Sequence, residues 1–168
     1  MRLNRLALPA LLCATLSTPL LAADTVDADD FVDEASAGGI AEIESGKLAL
    51  EKSTTPGVKT FAQQMIDDHS AANRELAVIA REKKLEVATE AELMNKAKAL
   101  ILKLRDGEDF DEAYANNQVV AHEKTVELFK EAAASDDKEI AAFASKTLPK
   151  LEHHLQMARD LAATHKKP

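Results

Sequence analysis

From Val58 to Ile79 the chain reads VKTFAQQMIDDHSAANRELAVI. Val58, Ala62, Met65, His69, Ala72, Leu76 and Ile79 recur at alternating steps of four and three, with Phe61 and Ile66 widening the stripe. That spacing puts them on one face of an α-helix. One member of the face, His69, is polar, and an imidazole buried among core residues needs a partner. Ser53-Thr54-Thr55-Pro56-Gly57 just upstream carries helix-start chemistry. The spacing therefore predicts a long amphipathic helix from this junction to about Lys84.

Working outward, the preceding segment has its own seam of Phe31, Ala35, Gly38, Glu42, Ser45 and Ala49, with Asp27 or Asp29 as cap and an end near Ser53. So short a connection between two helices forces them antiparallel. Gly38, Gly39 and Gly46 each cost about 1 kcal/mol of helix propensity. Close approach of a neighbouring helix, or space for a ligand, would offset that. Downstream, Leu85 to Thr89 is a connector, and Glu90 to Arg105 reads as a shorter helix with Leu93, Ala97, Leu100 and Leu104 on one face. Asp106-Gly107-Glu108-Asp109 stops and restarts the chain. A third long helix is expected from near Phe110, capped by Asp109, with the seam Ala115, Val119, His122, Val126, Phe129 and Ala133. Ser135-Asp136-Asp137 opens a fourth, whose seam is Ile140, Ala144, Thr147, Leu151, His154, Ala158 and Leu161. Pro149 predicts a kink or local break within it, and Thr164 to Pro168 reads as a frayed end.

The expected fold is all-α: a four-helix bundle of two antiparallel hairpins, with a short extra helix in the crossover. Composition agrees. Hydrophobic residues make up 46% of the chain but aromatics only 4%, a palette that suits close helix packing rather than strands.

The first residues, MRLNRLALPALLCATLSTPLLAA, read as an export signal: basic Arg2 and Arg5, an apolar run from Leu6 to Leu16, and small residues at Ala22-Ala23. Residues 1–23 are assigned to that signal and 24–168 to a single bundle domain, with a retained anchor as the alternative. The expected location is the periplasm or the outside of the cell. No later segment is apolar enough to span a bilayer. Cys13 falls inside the signal, so the mature chain would have no thiol nucleophile, disulfide or thiolate metal site. The net charge is −8, and losing Arg2 and Arg5 leaves 19 basic against 29 acidic residues. Such a balance argues against nucleic acid and anionic membrane surfaces as partners.

Glu42, His69, His122 and His154 occupy equivalent seam positions, one on each long helix. At about 1.5 Å per residue, Glu42 and His69 lie at similar depth below their turn, whereas His122 and His154 differ by roughly one helical turn. Imidazole and carboxylate suit zinc, iron, copper or manganese, and four such groups from four helices can share one divalent ion, with zinc or iron favoured. Asp68, beside His69, is a candidate outer acceptor for an imidazole N–H. His153, Glu44 and Glu123 lie off the seams. Tyr114 reads as a packed ring with an outward hydroxyl. A di-iron carboxylate centre needs Glu-x-x-His pairs, but the residues three before His69 and His154 are Ile66 and Leu151. No serine nucleophile turn, phosphate loop or assignable glycosidase carboxylate pair can be found.

The stretches Gly38-Gly39-Ile40-Ala41-Glu42-Ile43-Glu44, Val58-Lys59 with Phe61-Ala62, Met65-Ile66-Asp67-Asp68-His69, and Leu148-Pro149 with Leu151 and His154-Leu155 together resemble the bacterial exported family catalogued as domain of unknown function 4142. The resemblance spans about Asp29 to Ala162. It implies a ferritin-like four-helix bundle, with a Glu in the first helix and one His in each of the next three, here Glu42, His69, His122 and His154. It implies no established activity. Three readings follow. The first is an exported metal-binding bundle serving metal handling or envelope stress. The second is a structural or interaction protein with a metal-free buried His/Glu hydrogen-bond cluster, and the third is a small metal-dependent oxidase or peroxidase.

Overall fold

The structure, a computed structural model, describes residues 26–91 and 93–165. The segment read as an export signal lies outside them. Five α-helices order the described residues: α1 Ala28–Lys52, α2 Pro56–Lys83, α3 Leu93–Lys103, α4 Gly107–Ala133 and α5 Lys138–Thr164. The junctions follow from local chemistry. Asp27 caps α1 by accepting from the Asp29 N–H at 2.9 Å, and Pro56 takes the first position of α2, where its missing N–H costs nothing. Asp137 caps α5 by accepting from the N–H groups of Glu139 and Ile140.

Helix α1 packs along α2 and α4 along α5, and the two hairpins meet through α1 on α4 and α2 on α5. Two lysines show how the chain crosses over. Lys83, at the end of α2, pairs with Asp137 and Glu139 at the start of α5. Lys52, at the end of α1, donates to the Lys103 and Arg105 carbonyls and to Asp106. The crossover therefore travels the length of the bundle, from the α2 end to the α1 end. It makes the helix directions up, down, down, up, with α1 antiparallel to α4 and α2 to α5.

Three expectations are corrected. Helix α4 starts at Gly107 with Asp106 at the cap position, earlier than Phe110 and Asp109, because Gly107 adopts a left-handed φ of 57° that lets the helix begin as soon as the chain reverses. Of the kink or local break expected at Pro149, the break does not occur, since helix α5 runs on through it; Pro149 and Ser145 both lie on the exposed face, where water can satisfy the carbonyl that the proline leaves unbonded. Of the stripe predicted for the short helix, Leu100 and Leu104 face outward, at 62% and 80% exposure. Asn95, Ala99 and Leu102 line the contact with α1 and α4 instead. Lys52 of α1 holds the end of α3 through the Lys103 and Arg105 carbonyls.

The glycines of α1 divide by role. A Cβ at Gly46 would stand 2.9 Å from the Ala62 carbonyl oxygen and from Ile66 Cγ1, and one at Gly39 would overlap the Asn73 amide, while Gly38 has open space around it. Two therefore permit close approach of α2, and the third borders a void. The core falls into two apolar clusters, one around Phe31, Leu76, Phe129 and Phe143 and one around Phe61, Met65, Phe110 and Tyr114. The polar residues of the site lie between them.

Candidate metal centre

Each long helix turns its polar seam residue inward. His69, His122, His154 and Glu42 are all buried, with His122 and His154 at 1% exposure. The three imidazoles form a nearly equilateral triangle. Ring centroids are 5.6 Å apart for His69–His122, 5.6 Å for His69–His154 and 5.5 Å for His122–His154, with interplanar angles of 67°, 46° and 81°. The rings are thus turned edge-on rather than stacked. One nitrogen from each can be taken so that all three lie within 4.8 Å of one another.

The roughly one-turn mismatch between His122 and His154 counted along the backbone is closed by side-chain direction. A helical side chain leans toward the N-terminus of its own helix. In antiparallel α4 and α5 that lean carries the His122 ring away from their shared turn and the His154 ring toward it. The two displacements bring the rings to one height.

Hydrogen bonds fix which nitrogens of His122 and His154 are left without a partner. His122 Nδ1–H donates to the Gln118 carbonyl at 3.0 Å. A carbonyl can only accept, so Nδ1 carries a hydrogen and any lone pair on the ring belongs to Nε2. His154 Nε2–H donates to Asp68 Oδ2 at 2.9 Å, which leaves the lone pair on Nδ1. Those two nitrogens and His69 Nε2 are buried and have no hydrogen-bond partner among the described residues. Asp68 is therefore an outer acceptor, but for His154 across the helix interface rather than for its neighbour His69. Lys150 holds its other oxygen at 2.6 Å. Burial raises the Asp68 carboxyl, but the hydrogen bonds from Lys150 and His154 outweigh it and leave the group below its ordinary value.

Electrostatics favours the neutral form of His69 and His154. Burial, reinforced by His122 and His154, holds the His69 imidazole well below the ordinary histidine value. Burial also lowers His154, to about 4, although its hydrogen bond to Asp68 opposes the shift. Neutral imidazoles with convergent lone pairs are the form that binds a metal.

Glu42 is not among the groups within 4.8 Å. It lies at the fourth corner of the bundle, where with Ser45, Asn117 and Ala121 it walls a cavity of about 20 Å³ between α1, α3 and α4. A second cavity, of about 30 Å³, opens beside His69 and Gly38. His153, Glu44 and Glu123 are exposed as expected. Tyr114 is corrected: it is fully buried, its hydroxyl included, and burial and then Glu42 push that hydroxyl well above its ordinary value.

Sequence reasoning missed Gln118 and Asp111, which are buried on α4. The apolar seam read from the sequence passes through Val119, one residue away from Gln118. Counting back from His122 in steps of four, four and three would have reached Gln118, Tyr114 and Asp111.

A family profile described as "Domain of unknown function (DUF4142)" matches residues 15–161. The chain belongs to this family. The family description carries no activity, so the geometry has to supply one. No curated protein and no solved structure matches the chain. Among the described residues no helix is long and apolar enough to cross a membrane.

Proposed function

We propose that this protein binds one divalent transition metal ion, zinc or iron, through His69, His122 and His154. Glu42 supplies a nearby negative charge or a fourth ligand, and Asp68 orients His154 from outside. A single observation carries the reading: three buried imidazoles bring one ring nitrogen each to within 4.8 Å of the others, and each has a buried nitrogen without a hydrogen-bond partner among the described residues. Water can donate only two hydrogens to such a set, whereas a cation satisfies all of it. Metal–nitrogen bonds of about 2.0–2.1 Å would place tetrahedral nitrogens about 3.4 Å apart. Binding therefore draws the rings inward from a spacing of up to 4.8 Å.

That looser spacing favours the second reading, a metal-free cluster bridged by water. Metal analysis of the protein recovered from its native compartment separates the two. The metal reading expects about one equivalent of ion, lost in His122→Ala, and a rise in stability of about 2.7 kcal/mol when free metal stands at a hundred times Kd. No bound ion, and a melting curve indifferent to added Zn²⁺ and Fe²⁺, would leave the hydrogen-bond cluster. With the export reading of residues 1–23, the site would serve metal handling or stress protection in the cell envelope. Peroxide turnover by an iron-loaded sample is what the oxidase reading demands.

A further inference from the structure

Helix α4 carries more buried polarity than the trio uses. Asp111, Tyr114, Gln118 and His122 follow one another at steps of three, four and four, and all are at most 2% exposed. Each has a buried polar atom with no hydrogen-bond partner among the described residues: Asp111 Oδ1, the Tyr114 hydroxyl, Gln118 Oε1 and His122 Nε2. Those residues form a single stripe about 16 Å long. Its outer end is at the α1–α2 turn, where Thr55 Oγ1 donates to Asp111 Oδ2 at 2.6 Å. Its inner end is the histidine trio. Midway, Gln118 Nε2 donates to Ser45 Oγ at 3.3 Å, and Ser45 and Glu42 border the cavity of about 20 Å³, which has room for about one water.

Orphaned polar atoms are costly in a core, at roughly 1–3 kcal/mol each. Here four lie in register on one helix face. We infer that the Asp111–Tyr114–Gln118–His122 stripe is a binding file for a chain of water molecules, leading from the α1–α2 end of the bundle to the histidine trio. Tyr114 and Gln118 can each donate and accept, so they suit a chain in which every water must do both. The use of the file, delivering water to the histidine trio, rests on the metal reading; the file itself does not.

The test uses the full metal-free chain, which makes it independent of metal binding. Water-to-protein magnetisation transfer in solution should reach the Gln118 side-chain amide and the Tyr114 ring, and should be absent at the Phe129 and Phe143 rings. The ring N–H of His122 should exchange with solvent at least tenfold faster than the backbone amides of the surrounding turn of α4. Tyr114→Phe combined with Gln118→Met keeps the volume and removes two orphaned groups. It should slow that exchange at least tenfold with no loss of thermal midpoint. Absence of water contact at Tyr114 and Gln118 in the unsubstituted chain overturns the inference, whether or not the double variant folds. Exchange that is unchanged in a folded double variant also overturns it. Metal binding by a chain with a dry stripe would reject the file and leave the metal reading intact.

Discussion

Asp68 shows how much of the site depends on a residue that would touch no metal. Its carboxylate fixes the His154 tautomer and is itself fixed by Lys150. Asp68→Asn weakens that acceptor and breaks the ion pair, so affinity for the bound metal should fall about 10–100-fold in a calorimetric titration, with the fold retained. The histidines themselves were legible from sequence, because each interrupts an apolar seam. The partner of Asp68 was not, since a contact between α2 and α5 depends on how two hairpins dock and adjacency to His69 pointed elsewhere. Gln118 was missed for a related reason: a polar residue one step from a plausible apolar seam position looks like the edge of the surface until the rotation of α4 is known.

At the scale of elements, the glycines of α1 give a paired prediction. Gly46→Ala puts a Cβ against the Ala62 carbonyl and Ile66, so α1 and α2 must part, and stability in urea should drop by about 1–3 kcal/mol. Gly38→Ala meets nothing within 4 Å and should gain about 0.5–1 kcal/mol from the stiffer helix. The sequence could name both as costly glycines, but only the packing tells which one the neighbouring helix requires. Lys52 makes a similar point about the crossover. Replacing it with Ala removes the donor to Lys103, Arg105 and Asp106, and should speed amide exchange in α3 well before any change appears in α1 or α2. Long helices and their ends were readable from periodicity and caps. The facing of short α3 was not, because so short a helix offers few periodic positions and packs against both α1 and α4.

For the molecule as a whole, the depressed histidines dictate how stability responds to acid. His69 and His154 bind protons less readily in the folded metal-free chain than in the unfolded one. Unfolding therefore takes up protons as pH falls below about 6.5, the unfolded value. Stability should be level above about pH 7. It should then decline toward pH 4 by up to about 1.4 kcal/mol per pH unit for each such histidine. Urea midpoints at pH 7.5, 6 and 5 check this, and replacing His154 with Gln should flatten the slope. Bundle architecture was fully anticipated by four amphipathic segments and their short turns. The common height of the second hairpin's imidazoles was not, since residue counting locates backbones and ignores the direction in which side chains lean.

The trio also draws unequally on the two hairpins: α2 provides one imidazole, and α4 and α5 provide two. Neither hairpin alone owns a complete set, and the long crossover is the only covalent tie between them. An ion at that position would act as a rivet through both halves. Chelation should first be felt as slippage of one half against the other, with each hairpin still wound.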